Sequence, residues 1–251
     1  MMRLIVLLLL TLAGPLRGES IVLGLSQDSV SITATFEGSD ILIFGAVSRD
    51  APAPQDTGKL GVIVAVAGPD QPLSVFRKDR QLGIWVNADQ VDVRRAPSFY
   101  AVATSGPLDE VLTQTEDLRN AITIPRTIRA DGATVENSAA YTEALIRIRT
   151  KQALYQVQEG GVDLEEDTLF RTAFRLPANL LEGDYLARIY LTRDGRVIDE
   201  HSTVIPVEKV GIERWLYNLA HVQPILYGLL SLVIAVAAGW AASAGATLLR
   251  R

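Results

Sequence analysis

Arg77, Lys78, Arg80, Arg94 and Arg95 place five cations within residues 77–95. Arginine offers a planar fork of donors that grips oxyanions bidentately, so such a set could bind a small anion or an acidic partner surface. Between the two groups runs Gly83-Ile84-Trp85-Val86-Asn87, which adds Trp85 and the amide of Asn87 to the candidate binding residues. The competing reading is charged sheet surface around a core tryptophan. Asp199-Glu200-His201 is the one place where carboxylates adjoin an imidazole. Neighbours on a strand point to opposite faces, so Glu200 and His201 do not converge and no catalytic pair is expected. Glu159, Asp163, Glu165, Glu166 and Asp167 crowd one short segment. They lack the alternation of a calcium loop and read as a solvated acidic loop.

Other chemistry is poorly supplied. The chain has no cysteine, and only His201 and His221 provide imidazole. Thiolate nucleophiles, cysteine-held metals and multi-histidine sites therefore have little to draw on. The sequence contains no Gly-x-Ser-x-Gly elbow, no phosphate-binding glycine loop with its lysine and no paired-histidine zinc motif. No catalytic residue, metal or cofactor is expected, and the protein reads as a non-enzyme; an unrecognised hydrolase is the remote alternative. Of the 24 Lys and Arg, Arg3, Arg17, Arg250 and Arg251 lie at the two ends, whereas all 29 Asp and Glu lie between them. The central region thus carries a net charge of about −9, a poor surface for nucleic acid, whose binding rests on neutralising phosphates.

The elements that must position these residues are mostly strands. Val30, Ile32, Ala34 and Phe36 alternate with polar residues, the period of a half-buried strand. Ile41 to Val47 and Leu60 to Ala67 are apolar on both faces, which predicts central strands covered on both sides. Turns are expected at Glu37-Gly38-Ser39-Asp40, Asp50 to Gly58, Gly68-Pro69-Asp70 and Ala88-Asp89-Gln90. After Gly106-Pro107 the period becomes helical: Leu108, Val111, Leu112, Thr115, Leu118 and Ile122 predict one helix. Ser138 to Gln158 predicts a second, with Tyr141, Leu145, Ile148 and Tyr155 on one face. Strands resume at Leu169 to Leu176, Asp184 to Thr192 and Arg196 to Val207, the last two joined by the turn Arg193-Asp194-Gly195-Arg196. The expected fold is mainly β, an immunoglobulin-like β-sandwich over residues 19–210 with a helical insertion at about 107–162.

The two ends speak of membranes. Met1-Met2-Arg3, an apolar run from Leu4 to Leu16 and Arg17-Gly18 have the layout of a signal peptide over 1–18, too short for the ~20 residues that span a bilayer. Val222 to Leu249 carries no formal charge and is closed by Arg250-Arg251, the pattern of a transmembrane helix over 222–249 with its C-terminus in the cytoplasm. Ile212, Trp215, Leu216 and Leu219 share one helical face, which predicts an interfacial helix over 211–221. In the span, Ala235, Gly239 and Ser243 repeat at four-residue spacing and would let another helix approach closely. The expected topology is single-pass in the cytoplasmic (inner) membrane, with the N-terminal domain in the periplasm.

Leu23-Gly24-Leu25-Ser26-Gln27, Val30-Ser31-Ile32, Phe36-Glu37-Gly38-Ser39 and Ile43-Phe44-Gly45-Ala46-Val47 form an ordered set. So do Gly68-Pro69, Arg77-Lys78-Asp79-Arg80, Gly83-Ile84-Trp85-Val86-Asn87 and Ala96-Pro97-Ser98-Phe99-Tyr100-Ala101-Val102-Ala103-Thr104. Together they resemble the alphaproteobacterial transmembrane protein family of unknown function, over nearly the whole chain. The family carries no established activity, so the resemblance implies no catalytic residue. Members of that family are often encoded near sulfite exporter-type permeases, and the resemblance so implies a membrane-anchored accessory outside the cytoplasm. The expected function is a non-catalytic binding or assembly module in contact with membrane lipid, docking on an integral membrane transporter or self-associating through its span. The alternative is an anchored binder of a small anion such as a sulfur oxyanion, using the region of Arg77 and Arg95.

Overall fold

The computed structural model describes residues 19–27, 29–32, 37–49, 58–130, 138–209 and 212–249. The signal-peptide expectation for 1–18, the loop 50–57 and the far half of the Val30 to Phe36 strand lie outside the described residues. What is described is mainly β and falls into two compact units. The larger lies within Met1–Val30 and Glu37–Val207, the smaller within Ser31–Phe36 and Glu208–Arg251.

Three sheets carry the strands. The first joins β1 (Glu19–Leu25), β3 (Ser39–Arg49), β11 (Leu169–Leu176) and β10 (Asp163–Glu165) in that order. The second has the order β2 (Val30–Ile32), β13 (Arg196–Lys209), β12 (Gly183–Arg193), β4 (Leu60–Ala67), β7 (Tyr100–Thr104) and β9 (Tyr155–Gln158). The third joins β5 (Asp70–Gln81), β6 (Ile84–Pro97) and β8 (Arg129–Ala130). β4 is buried from Leu60 through Val66, as its two-sided apolar sequence predicts. Ile41 to Val47 is not such a strand. In β3, Ile41, Ile43 and Val47 are buried while Leu42 and Phe44 are exposed, so only one face of this stretch is covered. β12 turns into β13 through Asp194 and Gly195, both at positive φ (48° and 74°), the geometry a two-residue hairpin needs.

The segment after β7 departs from two long helices. Leu108 to Ile122 is split into α1 (Leu108–Val111) and α2 (Gln114–Asn120), because Leu112 is extended and Thr113 restarts the helix, its hydroxyl accepting from Glu116 N. α3 (Ile124–Thr127) follows, and then α4 (Ser138–Lys151). The second predicted helix ends seven residues early. Ala153 adopts φ +57°, Leu154 N turns back to Arg149 O, and Tyr155–Gln158 becomes β9, parallel to β7. The insertion therefore gives its last strand back to the main sheet. Tyr155 is 1% exposed and its hydroxyl donates to Pro97 O at 2.9 Å, so a buried aromatic with a partner outweighs the helical spacing. Ala88-Asp89-Gln90 is no turn either. β6 runs through it, and Ala88 is absorbed as a bulge where the register passes from Arg77↔Asp89 to Lys78↔Asn87.

In the smaller unit, α5 (Ile212–Val222) ends at Gln223 and α6 (Pro224–Leu249) begins at the proline, suited to a first helical position. His221 stacks on Tyr217 at 4.0 Å. Among the described residues no single helix is long and apolar enough to cross a membrane. Trp215–Val222 and Pro224–Trp240 pass on length and composition only as a pair, bent by 120° at the break.

Candidate functional site

The fold separates the five cations of residues 77–95. In the β5–β6 hairpin Arg77 lies opposite Asp89, Lys78 opposite Asn87 and Arg80 opposite Trp85, all in the half nearest the turn. Arg77 pairs with Asp89. Arg94 and Arg95 lie at the other end of β6, Arg94 in the irregularity between Val93 and Arg95. Trp85 is no core tryptophan, being largely exposed.

Arg95 instead joins arginines that sequence spacing could not group with it. It is the register partner of Arg129 on β8, so two like charges face each other across neighbouring strands. Such a pairing is unfavourable unless something else compensates. Both line a cleft of about 400 Å3, together with Arg126, Arg188, Asp70, Asp184 and Tyr100. Asp70 partly compensates, accepting from Arg95 Nε at 2.6 Å, and Arg126 Nε stands 3.7 Å from Asp117. No ion pair is seen for Arg129 or Arg188 among the described residues.

Arg188 is built into the floor. On β12 it lies opposite Ala65 of β4, with Leu186 and Tyr190 two residues to either side on the same face of the sheet. Its guanidinium donates to Asn120 O at 3.0 Å and Ala121 O at 3.3 Å, the C-terminal carbonyls of α2, and stands 5.6 Å from the centre of the Tyr190 ring. These partners carry only partial negative charge, and the Nε has no hydrogen-bond partner among the described residues. The Tyr100 hydroxyl donates to Ile122 O at 2.7 Å and receives a long contact of 3.5 Å from Arg188. Burial pushes its pKa up to about 12, against the pull of Arg188, so it stays a neutral donor. The α2 end is held over the sheet by Asp117, which accepts from the backbone N of Ile122 and Thr123 and from the Thr123 hydroxyl. The result is a cleft with four guanidinium groups, two lining carboxylates and no titration expected of its tyrosine near neutrality. Arrangements of this kind suit an oxyanion or a carboxylate.

The other sequence candidates do different work. Asp199 accepts from Ile21 N at 2.9 Å and ties β1 to β13. Asp163 and Glu165 both lie within 3.6 Å of Arg171, and Glu159 accepts a long bond from Leu108 N. Among the described residues no group of three or more His, Asp or Glu could hold a metal ion. Ala235, Gly239 and Ser243 lie on α6, where a Cβ at Gly239 would meet, beyond the helix's own backbone, nothing within 4 Å among the described residues.

No curated protein matches the chain. One family does, over residues 20–247, and its description reads "Putative transmembrane protein (Alph_Pro_TM)". That match takes in β1 from its second residue, the arginine-lined cleft, α5 and nearly all of α6, and the chain belongs to the Alph_Pro_TM family so described.

Proposed function

We propose that the protein is a non-catalytic binding module, anchored in the inner membrane by α6, whose periplasmic domain captures a small oxyanion in the arginine-lined cleft. The observation that carries this reading is the Arg95/Arg129 pair. Two arginines occupy register-partner positions on neighbouring strands, in the wall of a cleft that Arg126 and Arg188 also line, with Asp70 paired to Arg95 alone. For the anchor, the support is the uncharged run that continues from Trp240 to Leu249. Together with α5, the start of α6 passes the length-and-composition test for a span, as a pair bent between Val222 and Pro224. For the sandwich reading of the β domain, the support is the one-sided burial of β3 and β11 beside the fully buried β4. A membrane partner, whether a transporter or a second copy, would meet the open Ala235/Gly239/Ser243 row.

Calorimetric titration of the detergent-solubilised full chain with sulfate and with phosphate, against chloride at equal ionic strength, tests the binding reading. Saturable binding of an oxyanion, weakened at least about tenfold by Arg129→Gln through loss of one charge-assisted contact, is the expected result. Heats no larger than those of chloride, or unaltered affinity in Arg95→Gln and Arg129→Gln alike, would remove the cleft from consideration.

A further inference from the structure

The half of the β5–β6 hairpin nearest its turn serves no core. Val75 and Val91 are the last buried pair, and every residue from Phe76 to Gln90 is exposed or half-exposed. Its strands are joined by the β5–β6 ladder. Its tip is apolar: Leu82 is fully exposed, and Ile84 and Trp85 are 65% and 69% exposed. Leu82 also sits at φ +52°, a conformation that Asn, Asp or Gly would take more readily. A solvated turn gains nothing from leucine there.

The register sorts the side chains into two unlike faces, because directly paired residues share a side. One face carries Phe76, Lys78, Arg80, Trp85, Asn87 and Gln90, with two cations and two aromatic rings; its nearest carboxylate, Asp92, lies at the end away from the tip and accepts from Gln90 Nε2 at 2.9 Å and from the Ser74 hydroxyl. The other holds Arg77 with its partner Asp89, together with Asp79 and Ile84. An apolar tip with a tryptophan behind it and a cationic aromatic face is the composition of a membrane-interface anchor. Tryptophan favours the headgroup level, and each Lys or Arg near an anionic leaflet adds attraction. Within a region of net charge about −9, a face whose tip half, from Lys78 to Asn87, holds two cations and no carboxylate suits an anionic surface.

We infer that the β5–β6 hairpin is a second membrane contact, its Leu82-Gly83-Ile84-Trp85 tip dipping into the interface of an anionic lipid bilayer while Lys78 and Arg80 face the headgroups. This goes beyond anion capture in the cleft and does not need it.

The chain has three tryptophans, so Trp215→Phe with Trp240→Phe leaves Trp85 as the sole emitter, and Trp85→Phe with Trp215→Phe leaves Trp240. Both full-length variants are reconstituted into phosphatidylcholine vesicles with and without phosphatidylglycerol, each carrying lipids brominated near the headgroup end of the chains. Trp85 emission is expected to shift to the blue and to be quenched when phosphatidylglycerol is present. Lys78→Gln and Arg80→Gln should each weaken that insertion about fivefold. Trp85 quenched equally in both vesicles, or in neither, overturns the proposal. So does Trp85 shielded from aqueous iodide without lipid quenching, which would mean that a second copy or another protein covers the tip. Trp240 reports the anchor separately. If it escapes the lipid quencher while Trp85 does not, the span fails and the tip contact stands.

Discussion

The chain builds two long antiparallel hairpins by the same rule and puts them to opposite uses. In β12–β13 the strand β12 is walled by β4 on its other side, and Ala187, Ile189, Tyr190 and Leu191 are almost wholly buried. Its turn is gripped as well: Thr113 N donates to Gly195 O at 2.8 Å, and Lys59 N donates to Asp194 Oδ1 at 3.0 Å. In β5–β6 the turn is Leu82-Gly83, again with positive φ at both positions, yet a Cβ at Gly83 would meet nothing within 4 Å among the described residues. An isolated two-stranded ribbon is marginal in water. A turn motif therefore fixes where a hairpin bends, while burial of its flanking strands decides whether it is scaffold or probe.

The largest effect expected from this contrast is in the core. Ile189→Ala removes a side chain with no exposed area and should cost about 2–5 kcal/mol, read as a shifted chemical-denaturation midpoint of the full chain in detergent. A midpoint within experimental scatter of the parent would show that β12 is not the central scaffold.

Acid sharpens the comparison next. At the turn end of β12, Arg193 shares Glu19 with Arg49, at 2.6 and 2.8 Å. Burial alone would raise the Glu19 pKa, but hydrogen bonds from Arg193 and Arg49 outweigh it and hold the carboxyl below the usual range. A lowered folded-state value means that this stability is present above the ordinary glutamate range and is lost as pH falls through the folded value. Glu19→Gln should therefore destabilise the protein by about 1–3 kcal/mol at neutral pH and flatten the acid limb of a stability profile. An unchanged acid limb in the variant would assign that limb to other carboxylates. The exposed Arg77–Asp89 pair on the other hairpin should contribute at most ~1 kcal/mol and fade with salt.

The turn glycines give a smaller, paired effect. Gly195→Ala combines an unfavourable φ with a Cβ about 3.0 Å from Thr113, whereas Gly83→Ala meets only the φ cost. The first should exceed the second by roughly 1 kcal/mol in thermal unfolding; equal costs would mean that Thr113 yields freely. Smallest of all, Trp85→Ala should alter stability by less than about 0.5 kcal/mol. A larger loss would show that the projecting half packs on something within the chain.

Local patterns carried the strands that need no partner to be recognised. Leu169 to Leu176, the Arg193-Asp194-Gly195-Arg196 turn and the change of period after Gly106-Pro107 all appear in the structure where the sequence puts them. Failures arise where a tertiary neighbour decides. Tyr155 fits a helical face in sequence, but the Pro97 carbonyl and the open edge of β7 draw it into a strand. Phe44 and Leu42 look like core, and are left exposed because only one side of β3 is covered. The cleft was legible only through Arg95. Arg126, Arg129 and Arg188 come from a short helix, a two-residue strand and a central strand, and only the fold brings those together. The one local hint was the like-charge pairing of Arg95 and Arg129, and that depends on a register no sequence pattern states.

The return of β9 to the edge of β7 has a consequence in time. A parallel partner cannot form until the chain between them has closed into a loop of about 50 residues, an entropic cost that must be met before any contact rewards it. Ala121, Arg126, Thr127 and Arg129 of the cleft all lie inside that loop. The arginine-lined cleft is thus complete only once that loop has closed. A bound anion would act as a latch on the closed loop and slow its opening, so amide exchange along β9 should report occupancy of a cleft whose lining it does not enter.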